Sequence, residues 1–184
     1  MDITTRSTMA ITDHGKEYRF RTEEDMLRII RLVTNHGPSV LYSNSCGFLP
    51  LISAEEYLQA MLADQELFNK HSGMLIRVND VIVEKSDLNY GREHQELKMI
   101  ADSMAAYYAA EGFPTIYNVW IKYNESYVIT FIISVVSPVD GRKYTWNNGN
   151  KYMREKKALD TIAFRVTGKN KPEEEFDFLT QDNH

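Results

Sequence analysis

The sequence predicts a single α+β domain, in which about four helices pack on a largely antiparallel sheet of six or seven strands. Segments whose apolar residues recur with helical spacing are interspersed with shorter segments rich in β-branched residues. Turns of Asn, Asp and Gly join several strand-like segments directly, which favours antiparallel neighbours. No linker rich in Pro, Gly or Ser divides the chain, and no long sequence repeat is present.

The first part of the chain predicts a hairpin followed by a helix. Residues 3–11 and 16–21 are strand-like and flank the turn residues Asp13-His14-Gly15. Thr22 precedes three acidic residues, which is typical of a helix N-terminus because a hydroxyl and negative charges stabilise that end. The predicted apolar stripe of this helix contains Met26, Ile29, Ile30 and Val33, and Gly37-Pro38 ends it.

A capping-box pattern at Ser53 to Glu56 predicts the start of a second helix, after a short apolar strand at residues 40–42. We expect Gly73 to end this helix. Residues 74–84 are then expected to form two strands that meet at a tight Asn79-Asp80 turn, because Asn and Asp tolerate the left-handed backbone conformation. The apolar positions of the second helix are Tyr57, Leu58, Met61, Leu62 and Phe68.

Helical spacing is most regular in the third predicted helix, which Gly112 and Pro114 end. Two central strands follow, and the second, residues 127–136, is apolar on both faces and should therefore be covered on both. A fourth helix is predicted at residues 150–166. The inward positions of these two helices are Leu97, Ile100, Ala101, Met104 and Tyr108, then Leu159, Ile162, Ala163 and Val166.

Composition places the chain among ordinary folded proteins, with 43% hydrophobic and 26% charged residues. The longest apolar run is residues 127–136, which is about half of what a membrane helix needs. The N-terminal sequence lacks the basic and apolar regions of a secretory signal. With a single cysteine, Cys46, the chain cannot form an internal disulfide, so we expect a cytoplasmic protein without membrane contact.

Charge is segregated along the chain. Residues 1–141 contain 12 Lys or Arg and 19 Asp or Glu, residues 142–171 contain 9 and 2, and residues 172–184 contain 0 and 5. We therefore expect one domain at residues 1–171 and an acidic, flexible tail at residues 172–184.

Motifs for catalysis and cofactor binding are incomplete. His94-Gln95-Glu96 matches the H-x-E element of zinc deaminases, but the required P-C-x-x-C partner is absent, and the pattern indicates a solvated first helical turn. Cys46 could serve as a nucleophile if a histidine lay beside it, although a lone cysteine is more often a small packed residue. No glycine-rich phosphate loop occurs, and we predict neither a metal nor a cofactor.

The segment 141–157, GRKYTWNNGNKYMREKK, combines positive charge with aromatic rings, the two features that bind a nucleic-acid strand. In a helix that begins near Asn150, Arg154, Lys157 and Arg165 would share one flank. The predicted nucleic-acid-binding residues are Arg142, Lys143, Tyr144, Trp146, Lys151, Tyr152, Arg154 and Lys157.

Three functions remain open from the sequence. The leading hypothesis is a small non-catalytic protein that binds nucleic acid through this segment. The first alternative is an inhibitor or immunity-type module whose acidic 1–141 portion covers a basic partner protein. The second is a small enzyme that uses Cys46 or His94. The segment 141–157 is also compatible with an ordinary solvated helix whose aromatic residues complete the edge of the core.

Overall fold

The computed structural model describes residues 6–7, 11–13, 16–18, 22–35, 37–49, 53–70, 76–122, 126–144 and 149–169. The strands are β1 Arg6–Ser7, β2 Ile11–Asp13, β3 Lys16–Tyr18, β4 Val40–Cys46, β5 Ile76–Glu84, β6 Thr115–Lys122 and β7 Ser126–Ser134. The helices are α1 Glu23–Thr34, α2 Ala54–Leu67, α3 Glu93–Ala110 and α4 Gly149–Thr167, with a 3₁₀ turn at Lys85–Asp87.

The central sheet consists of four long antiparallel strands in the order β5-β7-β6-β4, and the two-residue strand β1 extends it at β5. The predicted class, α+β with four helices, agrees with this architecture. The predicted sheet of six or seven strands is wrong. Strands β2 and β3 form a separate hairpin, so they add nothing to the central sheet.

The tight turn predicted at Asn79-Asp80 is also wrong, because β5 continues through both residues without interruption. Their side chains form hydrogen bonds that the sequence pattern does not reveal. The Asn79 amide donates 2.8 Å to the hydroxyl oxygen of Tyr108, and Asp80 accepts a 2.6 Å hydrogen bond from Thr130 on the neighbouring strand. Satisfied polar side chains are therefore tolerated within this strand.

Helices cover both faces of the sheet. On one face, α1 and α2 pack on a cluster that includes Ile76, Val78, Ile116 and Ile132. On the other face, α3 and α4 pack on a larger cluster that includes Phe131 and Ile133. Every residue of β7 is buried, which confirms the prediction that this apolar strand is covered on both sides. Within the described ranges, no helix has the length and apolarity needed to span a bilayer.

Both predicted helix N-caps are confirmed. The Thr22 hydroxyl accepts a hydrogen bond from the Asp25 amide, and Ser53 and Glu56 form a complete capping box. Helix α2 ends earlier than predicted, at Leu67, and Gly73 lies outside the described residues.

A half-buried carboxylate, Asp102 on α3, connects this helix to the sheet. The hydroxyls of Tyr42 and Tyr117 both donate to Asp102 Oδ1, and Lys98 Nζ donates to Oδ2 at 2.8 Å. Burial tends to raise the pKa of Asp102, but the hydrogen bonds from Lys98, Tyr117 and Tyr42 outweigh it and lower the pKa. The ionised carboxylate therefore stabilises the contact between α3, β4 and β6.

The chain after β7 folds into a tight loop at residues 135–144. The Ser137 amide donates 2.9 Å to the Arg142 carbonyl, and the Tyr144 amide donates 2.7 Å to the Val135 carbonyl. Gly141 has a φ of +66° and lies against Phe68, at the end of α2. A Cβ atom on Gly141 would lie only 2.3 Å from Cδ1 of that ring, so this position requires glycine.

We predict that Gly141→Ala destabilises the protein by about 2–5 kcal/mol, through left-handed backbone strain together with overlap with Phe68. The matched control is Gly168→Ala. Gly168 has a φ of +69°, but among the described residues beyond its chain neighbours no atom lies within 4 Å of the added Cβ, so only the strain of about 1–2 kcal/mol remains. Urea unfolding curves measure both changes, and equal costs would contradict the packing role of Gly141.

A second prediction concerns pH. Because the pKa of Asp102 is lower in the folded state, its contribution to the free energy of unfolding is complete above the unfolded pKa of about 3.9. That contribution is lost as pH falls through the folded pKa. The difference in stability between the wild type and Asp102→Asn should therefore shrink below about pH 4. Urea unfolding at several pH values measures this difference, and a constant value down to pH 2 would contradict the assignment.

Candidate nucleic-acid interface

A buried ion pair fixes α4 to the sheet. Arg77 on β5 donates two hydrogen bonds to the carboxylate of Glu155 on α4, from Nη1 at 3.0 Å and from Nη2 at 2.8 Å. The two residues expose only 2% and 4% of their surfaces. A bidentate guanidinium–carboxylate pair has a defined orientation as well as a strong attraction, so it restrains the rotation of α4 about its axis.

Three further side chains complete this buried cluster. Asn79 accepts a 2.8 Å hydrogen bond from Arg77 Nε and donates to Glu155 Oε1 at 3.1 Å. The hydroxyls of Tyr108 and Tyr144 also donate to the Glu155 carboxylate. Burial and the nearby negative charge raise the pKa of both tyrosines, so they remain protonated hydrogen-bond donors. These hydrogen bonds offset the free-energy cost of removing the Glu155 carboxylate from water.

With Glu155 held inward, a flank of α4 whose residues lie about 40–160° round the helix from Glu155 faces solvent. Successive residues of a helix are rotated by about 100°, so residues 151, 154, 157 and 165 fall within about one third of the circumference. They extend over about 21 Å of the helix axis. The α4 basic flank consists of Lys151, Arg154, Lys157 and Arg165, all exposed.

No acidic side chain of α4 lies on this flank. Glu155 points into the buried cluster, and Asp160 lies on the side that carries Lys156, whose ammonium is 3.9 Å from it. All four positions of the flank are cations, and Asp160, which is three residues after Lys157, borders the flank on the side of Lys156.

Three predicted site residues, Arg142, Lys143 and Tyr144, belong to the folded loop at residues 135–144. Arg142 is exposed, but its guanidinium donates to Asp140 at 2.8 Å and to the Glu111 carbonyl at 3.0 Å. Lys143 is half-buried, and burial lowers its pKa. The ring of Tyr144 packs edge-on against Phe113, and the Arg77 guanidinium lies 4.6 Å above it. Tyr144 therefore contributes to the interior rather than offering a free stacking face.

The structure separates the remaining predicted residues from this loop. Lys151, Arg154 and Lys157 come together on the α4 basic flank, and Tyr152 is half-buried beside it. Trp146 lies outside the described residues.

His94, which is the histidine among the described residues, does not lie beside Cys46. The ring of His94 lies 6.4 Å from that of Tyr127, which pairs with Ile121, whereas Cys46 pairs with Thr115. Residues 115 and 121 are about 20 Å apart along β6, so the two side chains lie at opposite ends of the sheet. Within the described part of the chain, no group of three His, Cys, Asp or Glu side chains could hold a metal ion.

The predicted solvated turn at His94-Gln95-Glu96 needs correction at its last residue. Glu96 is fully buried and accepts hydrogen bonds from the backbone amide of Asn89 at 2.9 Å and from its side chain at 2.8 Å. This carboxylate anchors the preceding loop, whereas His94 and Gln95 are exposed as expected.

Sequence reasoning missed the buried cluster, although a weak signal was present. Arg77 and Asn79 are two positions apart in a strand that otherwise has apolar residues and Asp80 and Glu84, so their side chains share one face. Glu155 is the only acidic residue between positions 141 and 157. A polar pair on one strand face and an isolated acid on an amphipathic helix together indicate a buried ion pair.

We predict that Arg77→Met costs about 3–5 kcal/mol of stability, because it leaves the buried Glu155 carboxylate without its counter-charge. The double variant Arg77→Met with Glu155→Gln should recover part of this loss, since glutamine keeps the hydrogen-bond acceptor without the charge. Urea unfolding of both single variants and the double variant measures the coupling. Purely additive costs would contradict the ion-pair assignment.

Comparison with models of known protein families and with curated protein sequences finds no match to this chain.

Proposed function

We propose that the chain is a non-catalytic protein that binds nucleic acid by its phosphate backbone, through the α4 basic flank. The observation that carries this proposal is the exposed row of Lys151, Arg154, Lys157 and Arg165 on α4, a helix that the buried Arg77–Glu155 pair and the core residues Leu159 and Ala163 hold in one rotation. Cations in a row displace the counterions that surround phosphates, and this release drives association.

The charge of the rest of the chain also favours binding of nucleic acid at the α4 basic flank. Residues 1–141 have 19 acidic and 12 basic side chains, so most of the chain repels a polyanion. A nucleic-acid strand that approaches the protein is therefore directed to the α4 basic flank.

As part of this proposal the protein acts in the cytoplasm, which fits its single cysteine.

Successive cations along the flank are three, three and eight residues apart. These separations correspond to about 4.5, 4.5 and 12 Å along the helix. Such a spacing suits phosphate contacts, which position a protein on a strand but carry no sequence information directly. We therefore expect weak dependence on sequence and strong dependence on salt.

The test is fluorescence anisotropy with labelled 20-nucleotide single strands and the corresponding duplex, over a range of salt concentrations. Four phosphate contacts give a slope of log Kobs against log salt of about −2.8 for single strands and about −3.6 for duplex. Replacing Lys151, Arg154 and Lys157 together by Gln should reduce the single-strand slope by about 2 in magnitude.

The matched control replaces three exposed cations elsewhere, Arg28, Arg31 and Lys122, by Gln. Arg28 and Arg31 lie on α1, on the opposite face of the sheet, so this variant should keep the wild-type slope. Absence of binding at low salt, or an equal effect of both triple variants, would overturn the proposal.

A further inference from the structure

The side chain of Tyr90 is 100% exposed, although it lies in an anchored loop. This loop, residues 88–92, connects the 3₁₀ turn after β5 to α3. Within the described part of the chain, Tyr90 has neither a hydrogen bond nor a ring contact. The fold therefore presents both faces of this ring to solvent.

Asn89, the residue before Tyr90, holds this loop in position. The backbone and side-chain amides of Asn89 donate to the buried Glu96 carboxylate at the start of α3. The same side chain also donates 2.9 Å to the carbonyl of Thr167, the last residue of α4. Lys169 Nζ adds a 2.6 Å hydrogen bond to the Leu88 carbonyl. These bonds hold the loop at the C-terminal end of α4, beyond Arg165 on the α4 basic flank.

We infer that Tyr90 is a base-stacking residue and that the protein prefers single-stranded nucleic acid, an inference that rests on the proposed function. A strand whose phosphates follow the α4 basic flank reaches the Tyr90 loop at the end of the helix. Its unpaired bases can stack on an open aromatic ring, whereas bases in a duplex are already stacked on each other.

The rings predicted from the sequence do not provide such a platform among the described residues. Tyr144 donates a hydrogen bond to Glu155 and packs on Phe113, and Tyr152 is half-buried. A ring that is open to solvent and carried by an anchored loop can accept a base without ordering of the loop. Tyr90 meets this condition.

The charge of the loop region allows the contribution of base stacking on Tyr90 to be distinguished from that of the phosphate contacts on the α4 basic flank. Residues 84–93 contain two cations, Lys85 and Arg92, and three acids, Glu84, Asp87 and Glu93. The region has no excess of positive charge, so Tyr90 should contribute to affinity without contributing to the salt dependence. Stacking and phosphate contacts can then be distinguished in one titration series.

The experiment compares Tyr90→Ala, Tyr90→Phe and the wild type, with a labelled 20-nucleotide oligothymidylate and a 20-base-pair duplex. Tyr90→Ala should weaken single-strand binding by about 5- to 100-fold with an unchanged salt slope, and should change duplex binding less than twofold. Tyr90→Phe keeps the ring and should bind as the wild type does. Leu32→Ala, an exposed apolar position on α1, is the control and should have no effect.

Two outcomes separate this inference from the proposed function. If the flank variant weakens binding while Tyr90→Ala binds single strands as the wild type does, only the stacking role is overturned. An equal loss for single strand and duplex in Tyr90→Ala overturns it as well. If neither nucleic acid binds the wild type, the proposed function fails and this inference fails with it. Thermal unfolding should show native stability for each variant, because the Tyr90 ring has no partner in the described structure.

Discussion

The orientation of α4 depends on one interaction, the buried pair between Arg77 and Glu155. An uncompensated charge in the interior is very unfavourable, so α4 has to be rotated such that Glu155 faces Arg77. Two tyrosine hydroxyls and the Asn79 amide then satisfy the remaining hydrogen-bonding capacity of the carboxylate. The apolar residues Leu159 and Ala163 pack on the same side, so burial and electrostatics favour one rotation of the helix.

This constraint has a consequence for the surface. The segment that precedes and begins α4 contains six cations and one acid between residues 141 and 157, and the ion pair removes that acid from the surface. What remains outward is the α4 basic flank. The same carboxylate also holds the hydroxyl of Tyr144, so the loop and the helix are positioned by one group. Structure and charge distribution are therefore coupled through Glu155.

Within the described part of the chain, α4 is supported at both of its ends. At the N-terminal end, backbone hydrogen bonds of the 135–144 loop and the contact of Gly141 with Phe68 fix the approach of the chain. At the C-terminal end, Asn89 connects α4 to the buried Glu96. The exposed side chains of the α4 basic flank lie between these two supports.

Local patterns in the sequence were sufficient for the elements whose physics is local. Helix caps at Thr22 and Ser53 depend on side chains that reach backbone amides three residues away, so they are evident from spacing alone. The inward face of α3 and the doubly buried strand β7 follow from apolar periodicity in the same way. The bounds of α4 were also predicted to within a residue, as residues 150–166 against Gly149–Thr167.

Long-range polar contacts required the tertiary structure. Asn79-Asp80 has the local chemistry of a turn, but both side chains find partners on other elements, so β5 stays straight and the sheet has fewer strands than predicted. Arg77 and Glu155 are 78 positions apart, and no local pattern shows that they meet. The sequence by itself determined the class of fold, most of the helices and the segregation of charge, because these depend on neighbouring residues. Only the tertiary structure decided the number of strands in the sheet, the packing of Tyr144 in the interior and the exposure of Tyr90. Each of these depends on which groups from distant parts of the sequence lie next to the residues concerned.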